Sequence, residues 1–251
     1  MCGRFVITSP PGVLRQMFRY PEQPNFPPRY NVAPTQPVPV VMMDQGARRF
    51  QLMRWGLLPP WVKDPRDFAL LINARSETVL DKPAFKNAIR RRRCLIPADG
   101  YYEWQNAARG KRPFFVHPRN GGPIGFAALA ETWIGPNGEE LDTVAIVTAP
   151  ASEDLAVLHP RVPVVIPPQD LARWLDFRLY EPREVMPLLT GPRPGEFAWH
   201  EVSTRVNHVA NDDVDLMRPL SAEQRAAEEA AERPVRKRAT RTADDGQGSL
   251  F

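Results

Sequence analysis

Proline density limits this chain more than any other feature. There are 29 prolines against 15 glycines in 251 residues. A proline inside a helix removes a hydrogen bond and clashes with the preceding turn, and in a sheet it is confined to edges, strand ends and bulges. The segments between prolines must therefore be short. Eight of them are rich in β-branched and aromatic residues and bounded by turn formers, as half-buried strands are: GRFVI, PVPVVMM, RFQLMRW, FALLINA, RCLIPADGYYEW, PFFVHP, IGFAALAE and TVAIVTA. Helical spacing is found in PGVLRQMF, KPAFKNAIRR, PQDLARWLDF and PREVMPLL. Strands outnumber helices and do not alternate with them. The expectation is an α+β fold whose centre is a largely antiparallel, barrel-like sheet with flanking helices.

Composition shifts after Pro219 and divides the chain into a folded unit, 1–220, and an appendage, 221–251. SAEQRAAEEAAERP is a polar helix former stopped by Pro234, and VRKRATRTADDGQGSLF has almost nothing to bury, so a disordered tail is expected there. Five basic residues and no acid between Arg233 and Arg241 suit contact with a polyanion. The net charge of +4 is compatible with nucleic-acid binding without demanding it. Arg90 to Arg93 concentrate four cations after a helical stretch, where they can complement a helix C-terminus, contact phosphates, or both. Two cysteines make no disulfide framework. No charged leader and no apolar run of membrane-spanning length is visible, so a cytoplasmic, nucleoid-associated protein without membrane contact is expected.

The chain opens MCGRF. Cys2 can be an apolar strand residue. Once Met1 is removed it can instead carry a thiol and a free α-amine on adjacent carbons, a pair that closes on an aldehyde: the amine forms a Schiff base and the thiol completes a five-membered thiazolidine. Holding both groups on one residue makes the second step unimolecular. Such chemistry needs an acid or base and a means of binding charge. In GYYEW, Glu103 stands among Tyr101, Tyr102 and Trp104, and an apolar setting suits a carboxyl to proton transfer, although an outward-facing strand glutamate fits the pattern equally. In LINARSET, Asn73 and Arg75 share a strand face, with Glu77 two residues beyond. His159 and Arg161 lie in a proline-rich turn beside a buried-looking run, and a lone histidine is more often structural than catalytic.

Taken in order, MCGRF, RYNVAPTQ, WGLLPPW, INARSET, RCLIPADGYYEW, IVTA, LHPRVP and VSTRVN resemble the SOS-response-associated peptidase family, the abasic-site processing proteins, over about residues 1–218. The resemblance implies loss of Met1 and a thiazolidine crosslink between Cys2 and the ring-opened aldehyde of an abasic site in single-stranded DNA, with lyase and autopeptidase chemistry as related activities. It implies that Glu103 is the acid/base, that His159 stands near the sugar and phosphate, and that Asn73 positions the N-terminal residue. Arg75 becomes a phosphate ligand, Arg4, Thr148 and Arg161 further DNA contacts, and Asn31, Pro34, Trp61 and Trp104 parts of the DNA groove. Val162 stands where the family usually has Met, a change of packing more than of chemistry. No cofactor or metal is implied, and a monomer is expected. The rival enzyme reading is an N-terminal-nucleophile hydrolase of the amidotransferase kind, in which the Cys2 thiol attacks an amide. A binding role also fits QGSLF, where Gln247, Leu250 and Phe251 resemble the peptide by which bacterial proteins dock on the replication sliding clamp.

Overall fold

A two-residue turn starts the barrel. Strands β3 (Pro37–Asp44) and β4 (Ala47–Trp55) pair antiparallel through Asp44 opposite Ala47. The intervening Gln45 and Gly46 have φ of +47° and +83°, the left-handed pair that matches strand twist in a tight hairpin. The computed structural model describes residues 2–107 and 110–231, so the tail and its Gln247, Leu250 and Phe251 lie outside the described residues. β3 also pairs with β6 (Arg93–Ala98), β6 with β9 (Ile124–Ile134), and β9 with β10 (Glu140–Pro150). β10 returns to β4 in parallel, through Thr143 opposite Arg54 and Val144 opposite Trp55. The ring closes as a five-stranded barrel.

Two short strands extend β10 beyond the ring. β5 (Asn73–Arg75) runs parallel to it, Arg75 facing Thr148, and β11 (Arg161–Pro163) runs antiparallel. A second, open antiparallel sheet has the order β12 (Phe197–Glu201), β8 (Lys111–Pro118), β7 (Gly100–Asn106), β1 (Phe5–Ile7), β2 (Arg29–Val32). The chain leaves the barrel for this sheet at Asp99, whose carboxylate accepts the Thr8 and Ser9 backbone N–H groups at 2.6 and 2.8 Å. The next residue has to be glycine: a Cβ on Gly100 would stand 2.6 Å from the Val116 carbonyl oxygen and 2.7 Å from the Phe115 ring. The stretch expected as one strand, RCLIPADGYYEW, is thus two, in different sheets.

Phe5 locks the two sheets together. Its ring centroid lies 5.2 Å from that of Trp55 and 6.0 Å, edge-on, from that of Phe126, and all three are fully buried. Truncating one such aromatic to Ala typically costs about 3–5 kcal/mol. The helices are short, as the prolines require: α1 (Pro11–Phe18), α2 (Ala88–Arg91), α3 (Glu153–Ala156), α4 (Leu171–Leu175), α5 (Pro182–Val185) and α6 (Ala222–Ala231). α1 buries Leu14 and Phe18 and ends on a left-handed Arg19. The polar α6 is tethered by charge: Arg225 pairs with Glu201 at 2.6 Å and Glu228 accepts the Ser203 hydroxyl at 2.5 Å. None of the helices among the described residues is long and apolar enough to cross a membrane.

The arginine run is divided by burial. Arg90 and Arg91 are exposed in the last turn of α2, and Arg92 pairs with Asp142 at 3.1 Å. Arg93 is fully buried and donates to the carbonyls of Ile89, Trp174 and Tyr180 at 3.0, 2.6 and 2.8 Å. It ties α2 to α4 and the loop after it, and burial pulls its pKa down to about 10. Only the first half of the run is a candidate for external phosphate.

Candidate active site

The site forms where the barrel and the open sheet meet, at the start of β1. Cys2, just before that strand, is fully buried. From β5 on the barrel side, Asn73 Nδ2 donates to the Cys2 carbonyl at 2.9 Å. From β7 on the other side comes Glu103, 4 % exposed, whose Oε1 accepts the Trp104 backbone N–H at 3.1 Å. Alternation along β7 puts Tyr101 and Glu103 on the face turned to Cys2, and Tyr102 and Trp104 on the opposite face. The electrostatics follow this proximity. Burial, then the Glu103 carboxylate, pushes the Cys2 thiol far above its ordinary value, with the Arg4 backbone pulling the other way. Burial raises the Tyr101 hydroxyl too, with Cys2 and Glu103 adding to it. The resting sulfur is a protonated thiol beside a carboxylate, and it needs a base before it can attack. Asn73 Oδ1 is buried and accepts no hydrogen bond from the described residues, an arrangement that costs about 1–3 kcal/mol unless a donor is supplied.

A pocket of about 420 Å³ adjoins this cluster, lined by Arg4, Glu103, Trp104, His159 and Asn207, with Asn106 and Lys111 from the paired ends of β7 and β8. Arg4 is fixed on three sides. It donates to Asn31 Oδ1 at 2.7 Å and to the Val206 carbonyl at 2.8 Å, and its guanidinium lies 5.8 Å from the centre of the Trp104 ring. Burial lowers its pKa. Trp104 in turn donates from Nε1 to Asn207 Oδ1 at 2.8 Å.

His159 is set by the turn before β11. The Arg161 backbone N–H points at His159 Nδ1 from 3.0 Å, and the Arg161 carbonyl oxygen is 3.2 Å from the same nitrogen. The amide N–H asks Nδ1 to accept and the carbonyl asks it to donate, so these two contacts fix the place of the ring and not its tautomer. The Arg161 side chain turns towards β10 and β5. It donates to the carbonyl and hydroxyl of the buried Thr148 at 2.6 and 3.2 Å, and to both oxygens of Glu77. Arg75, opposite Thr148, is exposed and has no ion pair among the described residues.

The structure brings several of the singled-out residues together. Cys2, Asn73 and Glu103 converge; Arg4, Trp104 and His159 share the pocket; Arg75, Thr148 and Arg161 form a second group on adjoining strands. Three others stand apart from the pocket. Asn31 is 1 % exposed, and its amide is spent on Arg4 and on the carbonyls of Val206, His208 and Asn211, so it shapes the site from inside. Pro34 sits in the turn between β2 and β3. Trp61, 58 % exposed, packs edge-on against Phe68 in the loop after β4. Val162 is buried in the main core. Asn106, Lys111 and Asn207 carry no individual signal in the sequence, although Asn207 closes the VSTRVN motif: Asn106 and Lys111 pair at the end of the β7–β8 hairpin, and Asn207 reaches Trp104 from over a hundred residues away. Among the described residues no cluster of His, Cys, Asp or Glu could hold a metal ion.

The family model described as "SOS response associated peptidase (SRAP)" matches residues 1–209. The chain is 33 % identical over 221 residues to the abasic site processing protein YoqW of Bacillus subtilis, covering 86 % of this chain and 99 % of that one. It is 33 % identical over 265 residues to the abasic site processing protein HMCES of Gallus gallus, covering 88 % and 78 %. A crystal structure of a protein from Bacteroides thetaiotaomicron superposes with a TM-score of 0.79 at 20 % identity, over 87 % of this chain and 99 % of the other, a likeness of fold. Ordered motifs, barrel-and-sheet architecture and family match coincide over the same residues: the chain belongs to the SOS response associated peptidase family.

Proposed function

We propose that this protein processes abasic sites in single-stranded DNA by capturing them covalently on Cys2 after Met1 is removed. One observation carries the reading: Cys2 lies between Asn73 and Glu103, with a pocket that Arg4 and His159 line immediately beyond. An exposed α-amine would be a donor of the kind that Asn73 Oδ1 is without. The amine adds to C1′ of the ring-opened sugar and water leaves, giving a Schiff base. The thiol then adds across the C=N bond: a C–S bond forms, the thiol proton ends on nitrogen, and the products are a thiazolidine and one water. Glu103 is placed to protonate the departing oxygen and to relay the thiol proton, which the raised thiol pKa makes necessary.

The His159 ring, which lines the pocket, serves the sugar oxygens. Arg4, Arg75 and Arg161 take phosphates, Trp104 offers an aromatic face to the strand, and Pro34 and Trp61 act along the outer groove. The same Schiff base can instead lose the C2′ proton and expel the 3′ phosphate, which is lyase activity. Removal of Met1 by the protein's own thiol and docking of Gln247, Leu250 and Phe251 on a sliding clamp belong to the same proposal. Intact mass measured before and after incubation with abasic single-stranded DNA tests the central step. The expected result is a protein lacking Met1 that gains the mass of the oligonucleotide less one water. A chain that retains Met1, or gains no mass, defeats the proposal.

A further inference from the structure

Arg161 already holds an anion. Its Nη1 and Nη2 donate to Glu77 Oε1 and Oε2 at 2.6 and 2.9 Å, the two parallel bonds that a carboxylate and a phosphate fit equally well. The other edge of the guanidinium is committed to Thr148, through Nε to the hydroxyl at 3.2 Å and Nη2 to the carbonyl at 2.6 Å. Thr148 is fully buried inside β10 and cannot yield. The Glu77 side chain is 45 % exposed and the Arg161 side chain 15 %. The replaceable partner of Arg161 is therefore a carboxylate standing where a pair of phosphate oxygens would stand.

The geometry points to Glu77 as an internal phosphate mimic, a specificity-determining residue that keeps the non-covalent hold on intact single-stranded DNA weak. This rests on the reading above that Arg161 takes a backbone phosphate. That phosphate can bind only by displacing Glu77, so one anion is exchanged for another and little is gained. With Glu77 already balancing it, Arg161 offers no net charge with which to neutralise a phosphate and release the counterion condensed on the strand. Hydrogen bonds from Arg161 hold the Glu77 carboxyl below the usual carboxylate range, so the mimic persists throughout the neutral range. An enzyme that ends in a covalent bond gains from this arrangement: undamaged strand is released quickly, and the aldehyde alone retains it.

The test is equilibrium binding of the full chain to undamaged single-stranded oligonucleotide as a function of salt, for wild type, Glu77→Gln, Glu77→Ala, Arg161→Ala and the Glu77→Gln/Arg161→Ala double variant. With Glu77 neutralised, Arg161 becomes a true phosphate ligand. Affinity should rise about fivefold at about 0.1 M salt, and the log–log salt slope should steepen by about 0.7. Intact competitor DNA should also slow crosslinking of abasic DNA more than it does for wild type. In the Arg161→Ala background the Glu77→Gln change should do nothing. Unchanged or weaker binding by both Glu77 variants overturns the inference, and so does a gain that survives without Arg161. Failure of wild type itself to crosslink abasic DNA is a separate outcome that defeats the parent reading.

Discussion

The two cysteines make the informative comparison. Cys2 and Cys94 are both fully buried, and burial is the first cause raising both thiols. Their surroundings differ. Cys94 lies within β6, between barrel strands, opposite Met42 and Ala128, and the nearest charge acting on it is Arg92. Cys2 precedes its strand, its carbonyl is held by Asn73, and Glu103 and Tyr101 are close enough for their charges to act on its thiol or be acted on by it. Burial does not separate a reagent from a filler residue. The polar groups buried alongside do.

The largest effect expected from this contrast is at Cys2 itself. Cys2→Ala should abolish the heat-stable adduct with abasic DNA, and Cys2→Ser should retain at most a transient imine trapped by borohydride. Cys94→Ala should crosslink at the wild-type rate. Denaturing gels settle both, and a stable adduct in Cys2→Ala would erase the distinction. Glu103→Gln should come next, slowing adduct formation by about 10²–10⁴-fold, the usual weight of general acid–base catalysis, with the thiol still present. Asn73→Ala leaves both reacting groups but releases the Cys2 carbonyl. Its rate should fall about tenfold, the equivalent of one hydrogen bond of about 1.4 kcal/mol, and single-turnover kinetics would show it.

The smallest effect is one the two thiols should share. Each is held protonated in the folded state, whereas in the unfolded chain a thiol titrates near 8.5. Above about pH 8.5 the unfolded state therefore binds fewer protons, and stability should fall as pH rises. Each buried thiol contributes a slope of about 0.7 kcal/mol per pH unit at pH 8.5, approaching about 1.4 by pH 10. Denaturant unfolding across that range should lose one such contribution in Cys94→Ala and another in Cys2→Ala. Unequal contributions would mean that the two burials are not equivalent.

Much of the fold is legible in local pattern. PGVLRQMF forms α1 over its full length because Leu14 and Phe18 repeat at helical spacing, and PVPVVMM and RFQLMRW pair through a glycine-bearing turn. FALLINA is not a strand throughout: only Asn73–Arg75 finds an edge, on β10, while Leu70 packs over Gly56, where a Cβ would lie 2.3 Å from the leucine Cδ1. β12 carries no strand signal in the sequence because FAWHE mixes an exposed Trp199 with polar residues, and its pairing with β8 supplies the order. KPAFKNAIRR shrinks to α2, with Arg93 captured by carbonyls of elements some eighty residues on. Asn31, expected to belong to the groove, braces Arg4 from within.

The amino-acid order alone dictates short strands and helices and the motif order that marks the family, since proline spacing, strand alternation and motif order are local properties. It could not say that Arg161 would rest on Glu77, that Cys2 would come beside Glu103 of the neighbouring strand with Asn73 reaching in from the other sheet, or that two of four arginines would be structural. Those facts depend on which chain crossings share one buried volume. Charge becomes available to a ligand, or is neutralised internally, only once that packing is complete.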